Sequence, residues 1–146
     1  MQIKNIWKNV SAPLELHEDG RGSIVDIFYN TELNHINSIK SVKGALRGDH
    51  YHKETTQHML MVKGSMEYWY KPVDSEESPK YVVVKKGDLV TTPPNEIHSL
   101  KILEDNTEFI TFSSGLRGGQ DYEKDTIRVE PSLIPGRFKD QSHFLE

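Results

Sequence analysis

The chain reads as an all-β protein, and three observations carry that reading. Short runs rich in Val, Ile, Tyr, Phe and Thr recur between Ser23 and Phe112. Gly, Pro, Asp and Asn break them at close intervals, the pattern of a sandwich or small barrel. No stretch shows the sustained apolar spacing of an amphipathic helix.

In chain order the expected strands are residues 23–29, 36–42, 57–62, 65–70, 81–84, 89–92, 98–103 and 108–112. Turn residues punctuate them at Asp19-Gly20, Asn30, Lys63-Gly64, Lys86-Gly87, Pro93-Pro94-Asn95 and Asp105-Asn106. The polar stretch 72–79, bounded by Pro72 and Pro79, is expected to be an exposed connection. Beyond Gly115 the chain turns polar, with Gly118-Gly119, Pro131 and Pro135. This extension, 116–146, is expected to wrap the barrel, to pair with another subunit or to stay partly mobile.

At 146 residues the chain fits one domain, with its core over about 20–115. A net charge of −4, with Lys and Glu interspersed, argues against a duplex nucleic-acid binder, which needs a basic face, while a small phosphorylated ligand needs only a few local cations. The absence of cysteine removes disulfide and thiolate chemistry. No run is apolar enough for a membrane span, and Met1 to Trp7 lacks the features of a secretory signal, so a cytoplasmic location is expected.

The chemistry concentrates in Gly44-Ala45-Leu46-Arg47-Gly48-Asp49-His50-Tyr51-His52. Strand side chains alternate, so His50 and His52 share a face and can converge on one metal or substrate. His98 follows the second punctuated segment and is expected to join them. Arg47 falls on the opposite face of a regular strand, but a bulge at Gly48 would turn it inward, where its planar fork suits a diphosphate or sugar oxygen. Gln57 is read either as a ligand or substrate contact or as a buried lumen amide. Tyr68, with Tyr51, Trp69 and Tyr70, is available to stack on a nucleoside base or to fill core and rim. Met59 and Met61 share the parity of Gln57 and are read as core. His58, on the other face, is read as structural or exposed, and His17, His35 and His143 as solvated.

The spacing from Gly44 through His50, His52 and Gln57 to Gly64 resembles the first conserved motif of the cupins, with Gln57 where Glu is usual. Gly87, Pro93 and His98 resemble the second, with Asn95 and Ile102 at its second Gly and its terminal Asn. The resemblance spans roughly residues 20–115 and implies a double-stranded β-helix, the cupin jelly-roll barrel. Within the RmlC-like cupins, the stretch from Gly44 to Tyr51 resembles the Gly-Val-Leu-Arg-Gly-Leu-His-Tyr of the 3,5-epimerases of dTDP-4-keto-6-deoxyglucose. Asp19-Gly20-Arg21-Gly22 resembles their Asp-x-Arg-Gly opening. That family makes the His a general base and the Arg a substrate contact, which implies those roles for His50 and Arg47. His52 is similar instead to the second His of the related 3,4-ketoisomerases. The epimerases usually carry Gln at the position of His52 and Lys near that of Gln57, and further family residues differ here. Phe occupies the late strand, 108–112, where the epimerases carry a catalytic Tyr, and Ser38 stands where the ketoisomerases carry a Tyr twelve residues before the first His.

A third resemblance is to the metal-binding cupin domain of capsular polysaccharide reductase/epimerases, which implies His50, His52, Gln57 and His98 as ligands. The resemblance thus implies an epimerase or ketoisomerase of a nucleotide-linked 4-keto sugar, with His50 and His52 catalytic, Arg47, Gln57 and Tyr68 binding substrate, no cofactor required and a homodimer. The alternative is a metal-binding cupin carrying divalent Zn, Fe, Mn or Ni, acting as an oxygen-using metalloenzyme or small-ligand sensor unrelated to sugar nucleotides.

Overall fold

A computed structural model describes residues 1–115 and 124–136; His143 and Gly118-Gly119 lie outside these. Twelve strands appear among them: β1 (Gln2–Asn5), β2 (Leu16–Asp19), β3 (Gly22–Val25), β4 (His35–Ser41), β5 (Leu46–His52), β6 (Gln57–Lys63), β7 (Ser65–Pro72), β8 (Lys80–Lys85), β9 (Asp88–Thr92), β10 (Glu96–Ile102), β11 (Thr107–Ser113) and β12 (Thr126–Arg128). They form two five-stranded sheets, β1-β9-β6-β11-β4 and β12-β5-β10-β7-β8, with β2 and β3 as a separate hairpin. Successive strands from β4 to β7 alternate between the two sheets, as the double-stranded β-helix requires. All pairings are antiparallel. No described helix is long and apolar enough to cross a membrane.

The inner faces supply the core through strict alternation, most plainly in β11, where Thr107, Phe109, Thr111 and Ser113 are buried and their neighbours are not. Met59, Met61, Val90 and Phe109 of the first sheet meet Met66, Tyr68, Val84, Leu100 and Ile102 of the second. Each such apolar side chain contributes about 1.5–3 kcal/mol on burial. The lumen is not uniformly apolar. Toward the β5–β6 turn its lining becomes Gln57, Thr92, His98 and Ser113, all at most 1% exposed. Apolar packing therefore fills one end of the barrel and polar groups the other.

The N-terminal segment departs from expectation. The strand starting at Ser23 ends at Val25 rather than Tyr29, because Ile27 and Phe28 leave the hairpin to pack against Leu60, Leu89 and Phe112 on the outer face of the first sheet. β1 carries no strand signal of its own; it forms by pairing Gln2 through Asn5 with the edge of β9. His58 belongs to this outer layer, as its parity predicts. Its Nδ1 lies 2.8 Å from Thr91 Oγ1 and its ring meets Phe28 edge-on at 4.9 Å. It lines a cavity of about 510 Å³ with Phe28, Tyr29 and Leu14.

Burial, and secondarily the charge of Lys4, lowers the His58 pKa below its ordinary 6.5. The unfolded chain then takes up a proton that the folded chain resists, so stability is full above pH 6.5 and falls as pH drops through the lower folded value. His58→Gln is expected to flatten this part of the stability profile between pH 7.5 and 5, read from denaturant midpoints. An unchanged slope would remove His58 as its source.

A candidate active site of converging imidazoles

The site begins with a backbone irregularity in β5. His50 faces His98 across the β5–β10 ladder, but Gly48 faces the adjacent Ser99, so Asp49 is an extra residue and the register shifts there. Both Gly48 (φ 92°) and Asp49 (φ 59°) are left-handed. At Gly48 a Cβ would lie 2.7 Å from the His98 carbonyl oxygen and 3.1 Å from Ser99 Cα, so close backbone approach demands glycine.

The bulge decides where Arg47 goes. Arg47 pairs with Leu100, a core residue, and so shares the inner face with His50 and His52 although it is three residues from His50. Its Nε donates to Ser41 Oγ at 3.0 Å, holding the guanidinium near the C-terminal end of β4. Asp49 turns the other way. Its Oδ1 accepts from Ser99 Oγ, from Ser132 Oγ (2.9 Å) and from Leu133 N (3.1 Å), fastening the C-terminal segment to the bulge.

His50, His52 and His98 converge as their spacing predicts. Their ring centroids are 5.0, 4.7 and 5.5 Å apart, all three are at most 2% exposed, and one potential ligand atom from each lies within 4.8 Å of the others. His98 Nδ1 sits 3.2 Å from the Glu96 carbonyl. A carbonyl only accepts, so Nδ1 carries a proton there. His52 Nδ1 contacts Thr126 Oγ1 at 3.4 Å.

Tyr68 is fully buried on the inner face beside His98. Its ring lies parallel to that of His98 (6.1 Å, 4°), and its hydroxyl lies 2.5 Å from Thr92 Oγ1 while donating to Glu96 Oε1 at 3.1 Å. It forms a wall behind His98. Trp69 stacks on Tyr81 at 4.5 Å across the outer-face β7–β8 pair, whereas Tyr70 pairs with His98 in the ladder and is half-buried beside it.

Gln57 lies across the lumen on β6, completely buried, and neither amide atom has a hydrogen-bond partner among the described residues. An orphaned buried polar group costs about 1–3 kcal/mol, which a bound group would relieve. The three imidazoles have the donor type and closeness that a divalent transition metal needs, and an amide such as that of Gln57 is a weaker donor than any of them. Met59 and Met61 are core, as expected. On the late strand Phe109 is fully buried in the apolar core and Phe112 packs outward on Phe28, so neither offers a proton. Ser38 points outward and donates to Glu108 at 3.1 Å.

Several contributors carry little sequence signal. Asp125 accepts hydrogen bonds from the N–H groups of Lys53 (3.0 Å), Glu54 (2.9 Å) and Thr55 (3.0 Å) and from Thr55 Oγ1 (2.5 Å), capping the turn that joins His52 to Gln57. Partial burial pushes its carboxyl up, but bonds from the Thr55 side chain and these N–H groups outweigh it and hold the pKa below the ordinary 3.8. Glu96 could have been found from its shared parity with His98; Asp125 and Thr126 could not, being about 70 residues from what they hold. His17 is exposed beside Glu15, as expected. His35 is not solvated: it opens β4 half-buried, because pairing with β11 places it on the inner face.

With this geometry in view, comparison with known proteins assigns the lineage. Residues 17–116 match the model of the polysaccharide biosynthesis C-terminal domain family. The chain belongs to this family. A search of curated protein sequences gave no match. Among solved structures, this polysaccharide biosynthesis domain is similar to a 3,4-ketoisomerase from Helicobacter canadensis (20% identity, TM-score 0.67, covering 88% of this chain and 90% of that one). It is also similar to the dTDP-4-dehydrorhamnose 3,5-epimerase from Sulfolobus tokodaii (20%, TM-score 0.66, 95% and 88%). A third likeness is to the capsular polysaccharide assembling protein CapF from Staphylococcus aureus (23%, TM-score 0.60, 83% of this chain but 35% of that one). The domain has the RmlC-like cupin fold these structures share.

Gly48→Ala is expected to destabilise the domain by about 1–3 kcal/mol, since the bulge holds a left-handed residue against β10 backbone. An unshifted denaturant midpoint would mean that β5 tolerates a Cβ there.

Proposed function

We propose that the chain is an epimerase or ketoisomerase of a nucleotide-linked 4-keto sugar, acting by proton transfer beside the carbonyl in surface-polysaccharide or deoxysugar synthesis. The observation that carries this reading is the buried convergence of His50, His52 and His98 on the inner face that the bulge also gives to Arg47. Structures of similar fold bear the names of enzymes for this chemistry, and one names a dTDP-linked 4-keto sugar as its substrate.

A carbonyl acidifies the C–H bonds beside it, so a base can form the enolate and the site of reprotonation sets the product. His50 takes the proton, because an imidazole exchanges protons near neutral pH and contributes about 10²- to 10⁴-fold. His52 stands beside His50 and orients it. His98 is fixed through Nδ1 and backed by Tyr68. Arg47 and Gln57 bind sugar or phosphate oxygens.

A metal reading is favoured by one specific observation, that one potential ligand atom from each of His50, His52 and His98 lies within 4.8 Å of the others. Bound Zn, Fe, Mn or Ni would act as a Lewis acid. Exposed apolar side chains on β3, β4 and their connections, Ile24, Tyr29, Ile36 and Val42, support a homodimer.

In deuterated solvent the protein is expected to exchange deuterium into a dTDP-4-keto-6-deoxy sugar next to the carbonyl, with His50→Asn lowering the rate at least about 10²-fold while keeping its fold. No exchange into any such sugar would sink the primary reading. Stoichiometric metal, with function lost on chelation and restored by one metal, would favour the metal reading instead. Sedimentation equilibrium is expected to give twice the 16.8 kDa chain mass; a lone 16.8 kDa species at micromolar concentration would count against the dimer.

A further inference from the structure

Proton transfer at a carbon needs an acid as well as a base, and the late strand that carries Tyr in the epimerases offers only Phe109 and Phe112. The inner face of the first sheet holds another candidate. On β4 the residues at 35, 37, 39 and 41 face inward: Ile39 packs on the apolar core, Asn37 accepts from Thr111 Oγ1, and Ser41 accepts from Arg47. By the same alternation His35 faces the lumen.

Its register places it at the polar end. His35 pairs with Ser113, Ser113 with Gln57, and Gln57 with Thr92, so these four form one cross-strand row on the first sheet. Three of the four are at most 1% exposed, and His35 Nδ1 is itself buried without a hydrogen-bond partner among the described residues. The three converging imidazoles stand on the second sheet, which faces the first. Packed sheets lie about 10 Å apart, so inward side chains of the first sheet face those of the second directly across the lumen.

We infer that His35 is the second acid/base of this site, returning a proton to the face of the sugar opposite His50, so that the reaction is an inversion at the carbon next to the carbonyl. This rests on the proton-transfer reading above and selects epimerisation over ketoisomerisation. The step balances within the site. Neutral His50 takes the proton of the C–H bond, and that electron pair becomes the C=C bond of an enolate while the carbonyl π electrons move to oxygen. The enolate then collapses, re-forming C=O, and its carbon takes a proton from the His35 imidazolium on the other face. His50 leaves as imidazolium and His35 as imidazole, and both reset by exchange with water.

The test follows one dTDP-4-keto-6-deoxy sugar by NMR in deuterated solvent, reading label uptake at the carbon and formation of the inverted product separately. His35→Asn is expected to lower inverted product at least about 10²-fold while label uptake with retained configuration stays within a few-fold of the unaltered protein. His50→Asn is expected to abolish both. Wild-type amounts of inverted product from His35→Asn, or equal loss of uptake and product, would overturn the role of His35. His35→Gln provides the same reading if the Asn variant does not fold. Absence of uptake by the unaltered protein would instead overturn the proton-transfer reading, and this inference with it.

Discussion

The bulge at Gly48-Asp49 is the constraint on which the rest of the site depends. A regular β5 would send Arg47 outward whenever His50 points inward, since strand parity is two. One extra residue restores Arg47 to the lumen, and the same residue, Asp49, directs its carboxylate outward to Ser99, Ser132 and Leu133. The bulge thus sets the inner chemistry and anchors the outer strap together. It is permitted because Gly48 has no Cβ, which would lie 2.7 Å from the His98 carbonyl oxygen.

A gradient of polarity along the barrel follows from what can be buried without cost. At one end methionines, Phe109 and Ile102 exclude water and hold the sheets together. At the other, buried polar side chains need partners, and many are supplied inside the protein: Tyr68 to Glu96, His98 to the Glu96 carbonyl, His52 to Thr126. Gln57 and the Nδ1 of His35, both on the first sheet, are left without such partners among the described residues. Protein interiors rarely leave polar groups this way, and where they do the place is commonly functional.

Segments distant in sequence complete the arrangement. The N-terminal segment covers the outer face of the first sheet through Ile6, Ile27 and Phe28, while Thr126–Arg128 pair alongside β5 at the edge of the second and Leu133 bonds its Asp49. Asp125 holds the turn between His52 and Gln57, two site residues that belong to different sheets. The turn that links the two sheets at the site is thus fastened by a residue outside the barrel's main strand order.

The amino-acid sequence by itself determined the all-β class, seven of the strands closely, and the shared face of His50 and His52, because these rest on local alternation and turn residues; the choice of barrel over sandwich came from the resemblance to the cupin motifs. It also located His98, through its spacing from Gly87 and Pro93. It left Arg47 conditional, since a bulge requires a partner strand to define the register it breaks. It placed His35 in solvent and ended no strand at Val25, since neither the pairing of β4 with β11 nor the packing of Phe28 on Phe112 is written in neighbouring residues. Tertiary structure decided these because inward and outward have meaning only once a second sheet faces the first. The motif around His50 thus named one wall of the site, and the opposite wall, with Gln57 and His35, emerged only from register.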